Sequence, residues 1–273
     1  MHGSAASKMA DGHGKYGVER RVGGGTVRVE DTVAEEVPVA LVYNGFSHAV
    51  MMATPQDLED FALGFSLSEG IAGEVRDILD IEVIEHAQGC EVQMQLAGPR
   101  FACLRERRRA MVGRTGCGIC GVESLEQLAK RPVANIAGAG VLEAGALLRA
   151  QAELQSMQHL FDLTGAVHAA AWCGFDGKVE LVREDVGRHN ALDKLIGAVA
   201  TRRMSFADGF VLMTSRASYE IVQKAAAVGI AVVAAVSAPT GMAVRMAEEA
   251  GLTLIGFARG ERHSIYSHPE RVH

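Results

Sequence analysis

A chain of 273 residues with 48% hydrophobic content is long enough to bury one large α/β core, or one core plus a smaller partner. A formal net charge of -6 excludes a general nucleic-acid binder, so any polyanion must be met by local basic clusters. No apolar run approaches the roughly 20 residues that cross a bilayer, and the N-terminus lacks the charged-then-apolar order of a secretory signal, so a cytoplasmic location is expected.

Residues 1–25 are rich in Gly, Ser, Ala and His and show no periodicity, which reads as a disordered tail or expression remnant outside the fold. A smaller α+β lobe is expected over 26–135. In it, VPVALVYNGFSHAVMMA reads as two strands joined at Asn44-Gly45, a dipeptide that accepts the positive φ angles of a tight hairpin. Thr54, Pro55 and Asp57 then predict a helix start, with Thr54 as cap and Asp57 bonding back to it. Strands are predicted around 81–84, 91–96 and 101–104. The lobe closes on RERRRAMVGRTGCGICG, where Arg105, Arg107, Arg108, Arg109 and Arg114 form a basic cluster; the plain reading of such a run is a solvated face.

Residues 136–273 read as an α/β domain. A long helix over 141–161 leads into LTGAVHAAAW. The runs VELVREDVGRHNALDKLIGAVA, GFVLMTSRASYEIVQKAAAVGI and AVVAAVSAPTGMAVRMAEEAGL each place an apolar strand before a polar turn and an amphipathic helix, and TLIGFARGERHSIY closes with another strand. The alternation predicts a mostly parallel sheet covered on both faces. Ligands of such sheets gather where the strands' carboxyl ends lead into helix N-termini. The candidates there are Ser215 and Arg216 in TSRAS, Ser237 and Thr240 in SAPTG, and the REDVGRHN turn. Each also has a structural reading. His168 fits a core histidine, Asp185 and Arg188 can pair to brace a helix start, and His189 and Asn190 can cap it.

Five cysteines at irregular spacing do not form a secreted disulfide framework. Cys90, Cys103 and Cys173 read as small hydrophobes in or near strands. Cys117 and Cys120 form a Cys-x-x-Cys pair, which serves zinc ligation, disulfide exchange or sulfur carriage. A zinc site needs four ligands, and the chain offers no second pair. A zinc deaminase needs a glutamate after its histidine, where the segment following His168 has alanine. No metal is therefore expected. The pair sits on a glycine-studded segment between two lobes, unlike a thioredoxin motif, and the helical ESLEQLAK that follows puts Cys120 near a positive helix end. Arg114 and the basic run favour a thiolate on Cys117, hence a nucleophile and sulfur acceptor.

The segments TPQDLEDFALGFSLSEGI, CGICG, TGAVHAAA, REDVGRHNALDKLIG, TSRASYEIVQKAA, SAPTGMAVRMAEEAGLTLIGFARG and IYS occur in that order. With them the chain, from about residue 37 onward, resembles the formate dehydrogenase accessory sulfurtransferase family, the FdhD-type proteins. Arg114-Thr115-Gly116 stands where serines are expected in many relatives, and leaves the cysteine pair intact. The resemblance implies a cytidine-deaminase-like α/β fold, a three-layer sheet domain with a smaller N-terminal α+β lobe, assembled as a homodimer. It also implies a sulfur carrier that accepts persulfide sulfur from a cysteine desulfurase and transfers it to the molybdenum (or tungsten) bis-guanine-dinucleotide cofactor of formate dehydrogenase. Carried over by residue, Cys117 would hold the persulfide with Cys120 assisting, and Phe257, Ala258, Arg259, Gly260, Glu261 and Arg262 would contact the cofactor. Two pyrophosphates and two guanines ask for several separated anion sites, which Ser215, Arg216, Ser237, Thr240 and His168 can extend, with GDP serving as a fragment of the cofactor. Two other readings remain: a chaperone that delivers the cofactor without sulfur chemistry, and a GDP- or GTP-binding module.

Overall fold

In the computed structural model, which describes residues 11–112, 136 and 140–273, the chain opens with an antiparallel hairpin of β1 (His13–Val22) and β2 (Gly25–Ala34). Part of the expected tail, His13–Val22, is therefore a strand. Composition concealed it because the pairing runs through the main chain, while charged side chains meet across the strands, as in Lys15–Glu30 at 2.9 Å and Arg20–Asp31 at 3.3 Å.

A four-stranded sheet follows, in the order β4-β3-β6-β5, from β3 (Val37–Tyr43), β4 (Phe46–Ala53), β5 (Ile78–His86) and β6 (Gly89–Leu96). Asn44 and Gly45 take φ of 48° and 81°, as the tight turn requires. The cap expected at Thr54 is not formed. Helix α1 (Leu58–Ser68) starts after Asp57, which has φ 53° and no side-chain cap bond. Thr54 is buried and bonded to the far sheet instead: its N–H donates to Asp185 at 3.0 Å, its hydroxyl accepts from the Val186 N–H at 3.1 Å, and its carbonyl accepts from Lys194 at 2.9 Å. The strand expected at 101–104 lies inside helix α2 (Gly98–Val112). Phe101 and Leu104 are three apart, which puts both on one helical face but on opposite faces of a strand, and Pro99 sits in the first turn where its missing N–H costs nothing.

The second sheet has the order β12-β11-β10-β9-β7-β8, with β7 (His168–Gly174), β8 (Val179–Asp185), β9 (Gly209–Met213), β10 (Val232–Ala235), β11 (Thr253–Arg259) and β12 (Arg262–Ser267). It is mixed rather than mostly parallel. Only β9–β10 and β10–β11 run parallel, because β7–β8 and β11–β12 are joined by short hairpin turns at Gly177 (φ 88°) and Gly260 (φ 57°). Crossover connections put α5 (Arg188–Thr201), α6 (Tyr219–Ala227) and α7 (Gly241–Ala250) side by side on one face. Every residue of β9 and β10 is buried, so the other face is covered too, by α3 (Ala146–Met157), which spans from β8 to β11. The helix expected over 141–161 is shorter at both ends. Leu142 is bridged to Val272, Gly145 at φ 77° precedes α3, and Gln158 separates it from α4 (His159–Thr164). With this topology the carboxyl ends of β8, β9, β10 and β11 share one end of the sheet with the amino ends of β7 and β12.

Helix α1 joins the two sheets, which is why it is apolar nearly all round: Phe61, Ala62 and Phe65 enter one core with Tyr43 and Val92, while Leu63 and Leu67 enter the other. It meets α5 backbone to backbone. A Cβ at Gly64 would overlap the Asp193 carbonyl, and one at Gly197 would overlap the Asp60 carbonyl. Charged groups close the same junction. Lys224 reaches Glu69 at 2.8 Å and Asp193 at 2.9 Å, and Arg183 reaches Asp60 at 2.6 Å. Burial works against the Lys224 charge, yet Asp193 and Glu69 outweigh it and hold the ammonium above its ordinary pKa. Gly197→Ala is expected to destabilise the protein by at least about 1–3 kcal/mol, despite alanine's better helix propensity. A lowered denaturant midpoint at unchanged m-value checks this.

Candidate functional site

The site grows from the turns at the shared end of the second sheet. After β8, Asp185 is fully buried and accepts the Gly187 N–H at 2.8 Å and the Asn190 amide at 3.0 Å, while Lys194, also fully buried, pairs with it at 2.8 Å. The brace expected between Asp185 and Arg188 is thus made by Lys194. Asn190 does not cap the helix; its amide also donates to the Met52 carbonyl at 2.8 Å. Arg188 is left with a buried Nε that has no hydrogen-bond partner among the described residues. His168 stands in register with Asp185 across β7 and β8. Burial pushes its imidazole below the ordinary histidine pKa, and the charges of Arg188 and Arg216 push it the same way. His189 lies 2.7 Å from Glu220, but burial still holds its pKa low.

The next turns are laced to one another. Ala217 bridges Pro239, the Thr240 N–H donates to the Ala217 carbonyl at 3.0 Å, and the Phe257 N–H donates to the Ser237 carbonyl at 3.1 Å. Two expected ligand contacts have local partners: the Ser215 hydroxyl donates to the Arg216 carbonyl at 3.1 Å, and the Thr240 hydroxyl caps α7 by accepting the Ala243 N–H at 3.2 Å. At the end of β11 the pairing slips between Gly256 and Arg259, and Phe257 is 44% exposed with φ 53°, a conformation disfavoured for a bulky residue. Arg259 and Arg262 pair across the following hairpin, both exposed, and Arg259 donates to the Val236 carbonyl at 2.9 Å. Among the described residues neither guanidinium has a carboxylate partner.

Below these turns lies a cleft of about 600 Å³ whose wall includes His168, Thr214, Ala258, Arg259 and Gly260 from strand ends and Gln151 from α3. Of the expected contacts it takes in His168, Ala258, Arg259 and Gly260. Ser215, Arg216, Ser237, Thr240, Phe257, Glu261 and Arg262 are not in its wall. A larger groove of about 1290 Å³ lies at the junction of α1, β5 and the end of α5, lined by Leu63, Leu67, Ile78, Leu79, Met204 and Phe206 among others. Its Arg100 is committed to Asp77 at 2.8 Å and its Arg76 to Glu74 at 2.6 Å, and none of the expected contacts lines it, so the strand-end cleft is the candidate site.

Cys117, Cys120 and Arg114, and the side chains of Arg107, Arg108 and Arg109, lie outside the described residues. Cys90 and Cys173 are buried, and burial raises both thiol pKa values, so neither is a good nucleophile. Cys103 is not the small strand hydrophobe expected of it; it is exposed on α2. Two polar groups of the site escaped the sequence reading. Gln151 looks like any polar helix residue, and the orphaned Nε of Arg188 exists only once Lys194 has taken Asp185.

The sequence model of the FdhD/NarQ family matches residues 34–273. The chain belongs to the FdhD/NarQ family. Similar relatives include the sulfur carrier protein FdhD of Cupriavidus necator, 55% identical over 260 residues (95% of this chain and 90% of that one). Another is the sulfur carrier protein FdhD of Bordetella petrii, 52% identical over 255 residues (92% and 91%). A crystal structure from Desulfotalea psychrophila, of a protein described as a formate dehydrogenase accessory protein, shares the fold with a TM-score of 0.75 at 24% identity, covering 96% of this chain and 99% of that one. Among the described residues of this family member, no helix is long and apolar enough to cross a membrane.

Proposed function

We propose that this chain is a sulfur carrier that accepts persulfide sulfur on Cys117 from a cysteine desulfurase. It then passes the sulfur to a molybdenum or tungsten bis-guanine-dinucleotide cofactor held at the strand ends, and so matures a formate dehydrogenase. The names of its relatives support sulfur carriage. The observation that carries the cofactor half is a set of basic groups at the strand-end turns that, among the described residues, have no carboxylate partner: Arg259 in the cleft wall with Arg262 across its hairpin, and Arg188, whose Nε is orphaned, and Arg216, both close enough to His168 to act on its imidazole. Such a set asks for an anionic ligand with separated charges, and guanidinium forks suit pyrophosphates. Exposed Phe257 offers a face on which a base can stack. Helices on both faces of a six-stranded sheet favour a deaminase-like layering, with Ala170 in place of the catalytic glutamate that follows the histidine of zinc deaminases. Homodimer assembly, a cytoplasmic location and the lobe division near residue 135 belong to the same reading.

GDP, as a fragment of the cofactor, tests it. Calorimetric titration should show Arg259→Ala binding GDP about tenfold to a hundredfold more weakly than wild type, with Arg108→Ala unchanged. Equal affinities for wild type and Arg259→Ala would remove FARGER from the site, and a loss confined to Arg108→Ala would place the nucleotide beside the cysteine loop.

A further inference from the structure

The hairpin of β1 and β2 forms a two-stranded sheet of its own. It is held to the body at its root, where the Gln56 amide donates to the Asp11 carbonyl at 2.9 Å and β2 lies against α4. Directly opposed residues of an antiparallel pair share a face, and so do alternate residues along each strand. The register therefore sorts the side chains. One face carries Tyr16, Val18 and Val22 with Val27, Val29 and Val33, while the other carries the ion pairs Lys15–Glu30 and Glu19–Arg28. The apolar face is open to solvent: Val22 and Val27 are 69% and 57% exposed, and Tyr16 and Val33 are exposed as well. A lone two-stranded hairpin is marginal in water, and a bare apolar face on it marks a contact surface.

Two charges on that face point to what covers it. Val18–Val29 is the middle pair; on the same face Tyr16–Asp31 stands one step towards the root and Arg20–Val27 one step towards the tip. Within the chain Arg20 stretches past the middle pair to reach Asp31 at 3.3 Å, and both side chains stay about half exposed. A contact between identical copies needs a patch that complements itself under a two-fold axis. This one does. An axis across the strands at the middle pair exchanges the two steps, so each Arg20 comes level with Asp31 of the other copy, and Val33 falls opposite Gly25, beside which only the Val22 carbonyl lies. We infer that the apolar face packs against the same face of a second copy, the arms antiparallel, with Arg20 of each paired to Asp31 of the other. Arm pairing rests on the proposed homodimer assembly and supplies a contact surface for it. Each arm is about 30 Å long. Two such faces bury roughly 600 Å², under half of a typical stable interface, so association through them is reversible.

Charge reversal followed by mixing tests this, with sedimentation equilibrium of the full chain from about 1 μM to about 1 mM as the measurement. Arg20→Asp alone sets two aspartates against two in the paired arms, and Asp31→Arg alone sets arginines against arginines. Each should weaken self-association at least about tenfold. Lys15→Glu, on the polar face, changes the net charge as much as Arg20→Asp and should leave the constant unchanged. An equimolar mixture of Arg20→Asp and Asp31→Arg should return to within about threefold of wild type, because the mixed pair restores both attractions. Within one chain each variant still holds two like charges, so only a second copy can supply that rescue. A mixture that associates no more tightly than its components overturns arm pairing. Equal constants for wild type and both reversals overturn it too, and leave homodimer assembly to another surface. A wild type that stays monomeric throughout overturns both.

Discussion

Lys194→Met is expected to destabilise the protein by about 3–5 kcal/mol, the usual consequence of leaving a buried charge without its partner. Lys194 and Asp185 are both fully buried, 2.8 Å apart, and Lys194 also holds the Thr54 carbonyl at 2.9 Å. Methionine fills the same volume, so the loss is electrostatic rather than a cavity. Asp185 would keep the Gly187, Asn190 and Thr54 donors but no countercharge. Because this pair joins the end of β8 and the middle of α5 to the segment leading into α1, the loss should loosen the turn that positions Arg188 as well as the junction between the sheets. Adding Asp185→Asn to Lys194→Met should recover part of the stability, since the double variant buries no charge. Chemical denaturation measures both; a single-variant loss under about 1 kcal/mol would mean that water enters the site and solvates Asp185.

Cys117→Ala should abolish maturation of the dehydrogenase while leaving GDP affinity at the wild-type value. Sulfur carriage needs a thiolate that can attack a desulfurase persulfide and then release its sulfur. The other cysteines do not replace it in kind. Cys90 and Cys173 are buried with raised thiol pKa values, and Cys103 sits on the surface of α2, outside the Cys-x-x-Cys pair. Maturation assayed as formate oxidation by co-expressed dehydrogenase separates sulfur transfer from escort. Full activity with Cys117→Ala would leave the protein a chaperone of the cofactor.

The readable parts of the fold were those in which local chemistry and tertiary demand agree. Asn44-Gly45 takes its hairpin angles because this dipeptide accepts positive φ at both of its positions, and the strand-turn-helix runs announce β8 to α7 through their change of hydrophobic period. Thr54 was misread because a bond to Asp185 across the molecule outranks a local cap, and a sequence shows the second competitor only. Strand direction is likewise absent from apolar runs; the two flanking hairpins that make the sheet mixed lie in glycine turns that could equally have ended as crossovers. At the site, Arg259 and His168 were legible by type and position. Gln151 and the orphaned Arg188 Nε were not, because an unsatisfied atom is defined by what packs around it.

Sulfur carriage by Cys117 is read out by intact mass measurement after incubation with a cysteine desulfurase and cysteine. Wild type should gain about 32 mass units per sulfur, reversed by reductant, as expected for a persulfide. Peptide mapping should place the added sulfur on Cys117 and leave exposed Cys103 unmodified. Cys120→Ala should still load, and Cys117→Ala should not. An equal gain in Cys117→Ala, or a wild-type protein that takes up no sulfur under conditions where the desulfurase is turning over, would mean that Cys117 is not the sulfur carrier.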